Sequence, residues 1–307
     1  MAAKASYTIN LTPEQAAALR DVVRKKGFEF REVPHALFAA GGPKVQVVAY
    51  RSGKCVVQGK GTEEFVQFVL EPEITGQAIL GYEKVLNPQA YESHIGVDES
   101  GKGDFFGPLV TAGVYADEAA IETLVAAGVK DSKTVTSDKR VAELADVISS
   151  TPGVRAEIIA ISPAKYNELQ KKMRTVNELL GWAHAKVIEN MLGRVTCARA
   201  VSDQFARTEW TIRKHLGPRG RAITLEQRHK AESDPVVAAA SIIARDRFVK
   251  ALEAMGRDFG EKIPPGASAQ VKALAVRLVR QHGAQRVGGV VKTHFKTWAE
   301  VLAEAGA

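Results

Sequence analysis

The sequence predicts an α/β protein of two modules, a small α+β module followed by a larger α/β one. Three observations carry this. Over residues 1 to 72, strand-like stretches sit between two helical ones in the order β-α-β-β-β-β-α. Residues 73 to 93 read as a connector. From residue 94 to 307, apolar strands alternate with amphipathic helices. At 307 residues the chain is too long for one typical domain and suits one large domain plus a smaller one.

In the first module, Ser6 to Asn10 alternates as a strand does. Thr12 caps a helix, with Pro13 at its first position and Gln15 completing a capping box. The helix runs to the basic end Arg24-Lys25-Lys26, and Gly27 stops it. Phe28 to Glu32, Ala36 to Ala40, Lys44 to Tyr50 and Lys54 to Gln58 read as strands joined by Gly-, Pro- and Ser-rich turns, and Thr62 opens a second helix. The order describes a curved antiparallel sheet backed by two helices. Its charges nearly cancel, with 11 Lys and Arg against 9 Asp and Glu over residues 1 to 90. In the second module, strands are expected over Ile95 to Asp98, Leu109 to Ala116, Val154 to Ile161, Ala198 to Asp203 and Ala222 to Glu226. Helices are expected over 117–127, 136–150, 163–172, 177–192 and 235–255, and in the tail from Trp298 to Ala307.

Composition narrows the class. With 45% hydrophobic and 25% charged residues the chain is an ordinary globular protein. No apolar run is long enough to span a membrane, and the N-terminus lacks a signal-peptide core, so a cytoplasmic protein is expected. Cys55 and Cys197 lie far apart and are expected to be reduced and buried. A net charge of +7 hints at a polyanionic partner without proving one.

The chemistry is concentrated in residues 94 to 110. An apolar run ends on Asp98 and Glu99, a turn follows with a cation at its centre (Ser100, Gly101, Lys102, Gly103), and a second apolar run begins. On a regular strand consecutive side chains point to opposite faces, so the two acids share a site only if the strand ends or bulges there. A solvated turn is the plainer reading of any Asp-Glu pair. The apolar setting favours a site, because adjacent, partly buried carboxylates need a neutralising cation. A second strand ends on an acid at Asp203, where sites of α/β sheets form. The stretch His229-Lys230-Ala231-Glu232-Ser233-Asp234-Pro235 then opens a small-residue helix able to approach the sheet closely. Glu232 can complete the ring of acids, while capping accounts for Asp234. Asp98, Glu99, Asp203 and Glu232 beside a Lys-bearing turn suit Mg²⁺, with Mn²⁺ as an alternative. The histidines, His94, His184 and His229 among them, show no zinc spacing and read as packed or surface groups. Asp131-Ser132-Lys133 offers a hydroxyl and a cation, or simply a helix cap. Residues 205 to 230 carry seven Lys and Arg against two acids, which suits backbone phosphates or a solvated surface.

The run Gly-Val-Asp-Glu-Ser-Gly-Lys-Gly-Asp-Phe-Phe-Gly-Pro-Leu-Val, together with Asp131-Ser132-Lys133, Ser202-Asp203-Gln204 and Lys230-Ala231-Glu232, resembles bacterial ribonuclease HIII over about residues 94 to 297. A module similar to half of a TATA-box-binding protein belongs to that family and fits the order of the first 72 residues. The resemblance implies an RNase H-like fold and a metal-dependent endonuclease. Its products from the RNA strand of an RNA/DNA hybrid would carry 5′-phosphate and 3′-hydroxyl ends. It further implies that Asp98, Glu99, Asp203 and Glu232 are catalytic, with Asp98, Glu99 and Asp203 holding two Mg²⁺ ions when substrate is bound. Ser100, Gly101, Lys102, Gly103, Ser132, Lys133 and Lys230 are the expected nucleic-acid contacts, and a monomer is expected. Ribonuclease HII is the related family most easily confused with it. Here the fourth acid is Glu232 rather than the usual Asp, the turn is Gly-Lys-Gly rather than Gly-Arg-Gly, and no tyrosine follows Tyr166 to sense an RNA–DNA junction. Ile263 to Ser268 resembles an HIII segment, with Pro265 in place of a common Lys. HII-type junction cleavage, a non-catalytic nucleic-acid-binding protein and a DNA-cutting enzyme of the same fold are the alternatives.

Overall fold

A computed structural model describes residues 6–76, 84, 87–129, 135, 137–229 and 231–307. It divides into two units, Met1–Gln89 and Ala90–Ala307.

In the first unit, Thr12 caps α1 (Pro13–Lys25) by the expected box. Its hydroxyl accepts from the Gln15 amide at 3.2 Å, and Gln15 Oε1 accepts from the Thr12 amide at 2.9 Å. Strands β1 (Ser6–Asn10), β2 (Glu29–Arg31), β3 (Ala36–Gly41), β4 (Gln46–Tyr50) and β5 (Lys54–Gln58) form one antiparallel sheet in the order β1-β5-β4-β3-β2. Helix α2 (Thr62–Phe65) continues as wide π-helical turns over Val66–Thr75. Residues 73–75, expected in the connector, are therefore helical, because Val69, Leu70 and Ile74 extend the same buried face. Those residues close over Leu19, Val23, Val47, Cys55 and Val57. Burial pushes the Cys55 thiol up to about 12, which keeps it unreactive. Cys197 is only half-buried, and both cysteines are free.

The second unit is built on β6 (His94–Ser100), β7 (Leu109–Ala116), β8 (Val154–Ile161), β9 (Arg199–Asp203) and β10 (Thr224–Arg228), in the order β10-β9-β6-β7-β8. The β6-β7-β8 limb is antiparallel, whereas β9 and β10 run parallel to β6. Strand β10 begins two residues later than expected, because Pro218 opens a helical turn and Ala222 is its C-cap. Helices α3 (Glu118–Ala126), α4 (Asp138–Ser150), α5 (Pro163–Met173) and α6 (Val176–Leu192) precede β9. Short turns α7 (Trp210–Arg213) and α8 (Pro218–Arg221) follow it, and α9 (Pro235–Phe259), α10 (Ala269–His282), α11 (Ala284–Gly288) and α12 (Lys296–Ala305) complete the chain. Among the described residues no helix is long and apolar enough to cross a membrane.

The two sheet faces are covered differently. Helix α6 lies on one face, where Ala185, Val187 and Ile188 join Ile95, Val97 and Ala200. Helix α9 lies on the other, its first turns Val236 to Ser241 buried against β6 and β7. The approach is close because Gly96 has no side chain. A Cβ there would stand 2.4 Å from the backbone of Val236 and Val237, inside any permitted contact. The α9 N-cap, Asp234, is thereby fixed. Its buried carboxylate accepts from the Val236 and Val237 amides, from His94 Nε2 at 2.9 Å and from Arg228 at 3.0 Å.

Gly96→Ala is expected to lower the unfolding free energy by about 1–3 kcal/mol, since helix and strand must part to admit a methyl group. Urea unfolding of the purified variant measures this, and an unchanged midpoint and slope would refute the close-approach argument.

Candidate active site

Strand β6 does not end at Asp98, as one condition for a shared site required. It stays paired through Ser100, with Asp98 opposite Ala112, Glu99 opposite Thr111 and Ser100 opposite Val110. The alternation therefore holds, and the two acids project from opposite faces. Asp98 lies on the α9 face, hydrogen-bonded to Ser241, and its Oδ1 accepts from the Glu99 amide at 2.8 Å. Glu99 lies on the α6 face, where its Oε2 is 3.1 Å from His184 Nε2. What changes at this point is the neighbour on the other side. The parallel ladder of β6 with β9 runs Ile95–Ala200, Gly96–Val201, Val97–Ser202 and stops. Asp98 and Asp203 thus follow the last paired step of two adjacent strands. Both lie on the α9 face, since Val201, two residues before Asp203, packs with Ala231 and Val237.

Asp203 Oδ1 accepts from the Ala231 amide at 3.2 Å. That bond docks the 3₁₀ turn Ala231–Ser233, and with it Glu232, at the end of β9. Asp234 caps α9, as expected from its position. Ser132, Lys133 and Lys230 lie outside the described residues. Val135 and Asp138, which follow Ser132 and Lys133 in the chain, are tied to α9, where Arg245 donates to the Val135 carbonyl at 3.1 Å and pairs with Asp138 at 3.0 Å.

Gly101 holds φ +89°, and a Cβ on it would meet the Pro108 carbonyl oxygen at 2.2 Å, so only glycine turns the chain here. Lys102 Nζ sits 3.6 Å from Glu99 Oε1 and over the Phe205 ring, while Gly103 is exposed. The far limb of the turn is clamped from the C-terminal part of the chain. Phe105 donates to the Gly266 carbonyl at 2.9 Å, and Gly266 donates back to Asp104 Oδ1 at 2.5 Å. Lys292, fully buried, donates to the carbonyls of Asp104 at 2.8 Å and Gly107 at 2.7 Å. The segment Ile263 to Ser268 therefore meets the turn through its backbone at Gly266. Several cations of the basic strip after Asp203 are already engaged within the protein. Arg213 pairs with Glu209, Lys214 with Glu178, Arg221 donates to the Leu216 carbonyl, and Arg228 pairs with Asp234.

Electrostatics distinguish the acids. Burial, reinforced by the Glu99 charge, pushes the Asp98 carboxyl up to about 7. Glu99 is opposed by burial as well, but His184 and Lys102 outweigh it and hold its carboxyl below the ordinary range. Among the described residues no three His, Cys, Asp or Glu side chains stand close enough to enclose a metal ion. The donor chemistry nevertheless fits a hard divalent cation. Every candidate is a carboxylate, two share a face, and one is a buried acid destabilised by uncompensated negative charge. Mg²⁺ and Mn²⁺ are held by few carboxylates, with water and phosphate completing the shell.

Two groups escaped the sequence reading. His184 is fully buried and bonded to an acid of the site, although packing alone was expected of it. The signal was a lone polar ring within the apolar run Leu179 to Ala185, which has to find a buried partner. Lys292 gave a weaker signal, a cation directly after the apolar pair Val290 and Val291.

Carboxylates at the ends of neighbouring parallel strands in a mixed five-stranded sheet define an RNase H-like hydrolase. Comparison with known proteins makes the class definite. The family profile described as Ribonuclease HII matches residues 95–298, and one described as a domain of unknown function (DUF3378) matches residues 7–78. Ribonuclease HIII of Chlamydia trachomatis serovar L2 is 42% identical, covering 97% of each chain. That of Chlamydia pneumoniae is 41% identical over 96% of this chain and 97% of its own. The crystal structure of Bst-RNase HIII in complex with Mn²⁺ superposes with a TM-score of 0.66 at 31% identity, covering 98% of this chain and 99% of the other. Aquifex aeolicus RNase H3 gives 0.55 at 29%, covering 94% and 100%. The chain belongs to the ribonuclease HIII family and is an endonuclease of the RNase H type.

The Lys292 clamp has a measurable signature. Burial lowers its ammonium to about 8 against a nearby Asp104 charge that opposes the shift. The unfolded chain, with an ordinary Lys, binds more protons than the folded one between pH 8 and the usual Lys value near 10.4. Stability contributed by this residue therefore rises with pH across that window. Lys292→Met is expected to lose stability, and the gap to wild type should widen from pH 8 to pH 10 in urea unfolding. A constant or narrowing gap would contradict the burial argument.

Proposed function

We propose that this enzyme cuts the RNA strand of RNA/DNA hybrids with divalent metal, leaving 5′-phosphate and 3′-hydroxyl ends. The observation that carries the reading is the pairing of Asp98 and Asp203 on one face, at the point where two parallel strands part, beside a glycine turn bearing Lys102. The family membership supports it too.

Asp98 and Asp203 would hold the metal from the α9 face and Glu99 from the α6 face, past the edge where β6 and β9 are no longer paired, with Glu232 brought to the same strand end by the Ala231–Asp203 bond. When bound, divalent cations there supply Lewis acidity and charge neutralisation to the attacking water and the leaving 3′-oxygen. The protein's own groups do the rest. Gly101 and Gly103 let the backbone approach a ribose closely enough to read its 2′-hydroxyl, the group that separates RNA from DNA. Lys102 takes a phosphate, exchanging its bond to Glu99 for one to the substrate. Ser100, Ser132, Lys133 and Lys230 would extend the backbone contacts. The N-terminal unit serves as a further hybrid-binding module.

Incubation with Mg²⁺ and three substrates tests the whole reading: an RNA/DNA hybrid, duplex DNA, and a DNA duplex with one embedded ribonucleotide. Cleavage of the first, none of the second and little of the third is expected. Efficient cleavage at the single ribonucleotide would favour the HII-type reaction instead. Asp98→Asn should lower hybrid cleavage roughly 1000-fold, about the several kcal/mol that metal-held charge supplies, while hybrid affinity stays near wild type. Retained cleavage would sink the assignment of Asp98.

A further inference from the structure

His184 has no part in the chemistry described so far, yet its setting is unusual for a packed histidine. The ring is fully buried on α6, against Phe205 at 4.9 Å between centroids. Nε2 lies 3.1 Å from Glu99 Oε2, and Nδ1 lies 3.0 Å from Ser202 Oγ. The Ser202 hydroxyl in turn donates to the Asp203 carbonyl at 3.1 Å. One imidazole therefore reaches an acid on β6 and the residue before an acid on β9. It does so where the strands lose each other, since Val97–Ser202 is the last step of their ladder.

Beyond that step, backbone hydrogen bonds no longer set the spacing of Glu99 and Asp203. On the α9 face, Asp203 leans on the Ala231 amide. On the α6 face, His184 is the side chain that spans the gap. It also divides the work of the Glu99 oxygens: Oε2 is engaged by the ring, while Oε1 faces Lys102, a half-exposed cation on the substrate turn.

We propose that His184 is a positioning residue for the metal site, holding Glu99 with one oxygen turned outward and fixing its distance from the end of β9. The inference rests on the reading of Glu99 and Asp203 as metal-holding acids. Hydrogen-bonded partners of metal ligands typically matter by 10–100-fold in affinity, because a ligand that must be oriented at each binding event binds more weakly.

The test is Mn²⁺ titration of the full-length protein, followed by the electron paramagnetic resonance of free Mn²⁺, for wild type, His184→Leu, His184→Gln and His184→Asn. Hybrid affinity is measured beside it in EDTA by fluorescence anisotropy, and folding by circular dichroism. His184→Leu is expected to weaken Mn²⁺ binding by about 10-fold or more, with hybrid affinity in EDTA unchanged. Glutamine, whose amide nitrogen can stand where Nε2 does, should recover more of the affinity than asparagine, which reaches only towards Ser202. A folded leucine variant that binds Mn²⁺ as tightly as wild type would overturn the proposal, as would equal recovery by asparagine and glutamine. Should the leucine variant fail to fold, the glutamine–asparagine contrast decides alone. Wild-type protein that binds no Mn²⁺ would overturn the underlying site assignment, whereas tight wild-type binding unaffected by His184→Leu would overturn the positioning role only.

Discussion

The catalytic end of the sheet depends on how closely helix α9 can approach strand β6. Gly96 and the small residues at the start of α9 remove the side chains that would separate them. That contact delivers Ser241 to Asp98 and sets Asp234 as a buried cap between His94 and Arg228. It also brings the turn carrying Glu232 to the end of β9. Buried helix starts need their free amides satisfied, and a charged cap does this only if its own charge is met. Burial opposes ionisation, but the His94 ring and the Val236 and Val237 amides outweigh it and hold the Asp234 carboxyl below its usual range.

The acids themselves are organised by separation rather than by crowding. Alternation along β6 sends Asp98 and Glu99 to opposite faces, where each finds a different environment. Asp98 is poorly compensated and resists ionisation, while Glu99 is compensated from two sides and ionises readily. Two carboxylates one residue apart thus acquire different electrostatic characters from the same strand. The side chain that compensates Glu99 from within, His184, belongs to the helix covering the opposite face from α9, so both layers of the unit bear on the metal site.

Much of this was legible in the sequence. The succession of strands and helices in the first unit, the capping box at Thr12, the cap at Asp234 and the small-residue helix over 235–255 all follow from local rules that read a few residues at a time. Gly101-Lys102-Gly103 marked the turn, and Asp203 marked the end of a second strand. The continuation of β6 through Ser100 was not legible, because glycine after serine signals a break whether the ladder stops before it or at it. Nor were the links of high sequence separation, such as Lys292 to the Asp104 and Gly107 carbonyls or His184 to Glu99. A single buried polar side chain announces that it needs a partner without saying where the partner is. The basic strip was legible only as a count of charges, which does not reveal that Arg213, Lys214 and Arg228 are already paired within the protein.

The Lys292 clamp also has a temporal meaning. Its ammonium holds carbonyls 188 and 185 residues earlier in the chain. At roughly 5–20 residues per second, a ribosome takes about 10–40 s to cover such a stretch. At the start of that interval Asp98, Glu99 and the glycine turn are already made, while the residue that fixes the far limb of the turn is not, and Asp203 and Glu232 are added on the way. The nascent chain therefore carries its first two acids well before the substrate turn can be locked.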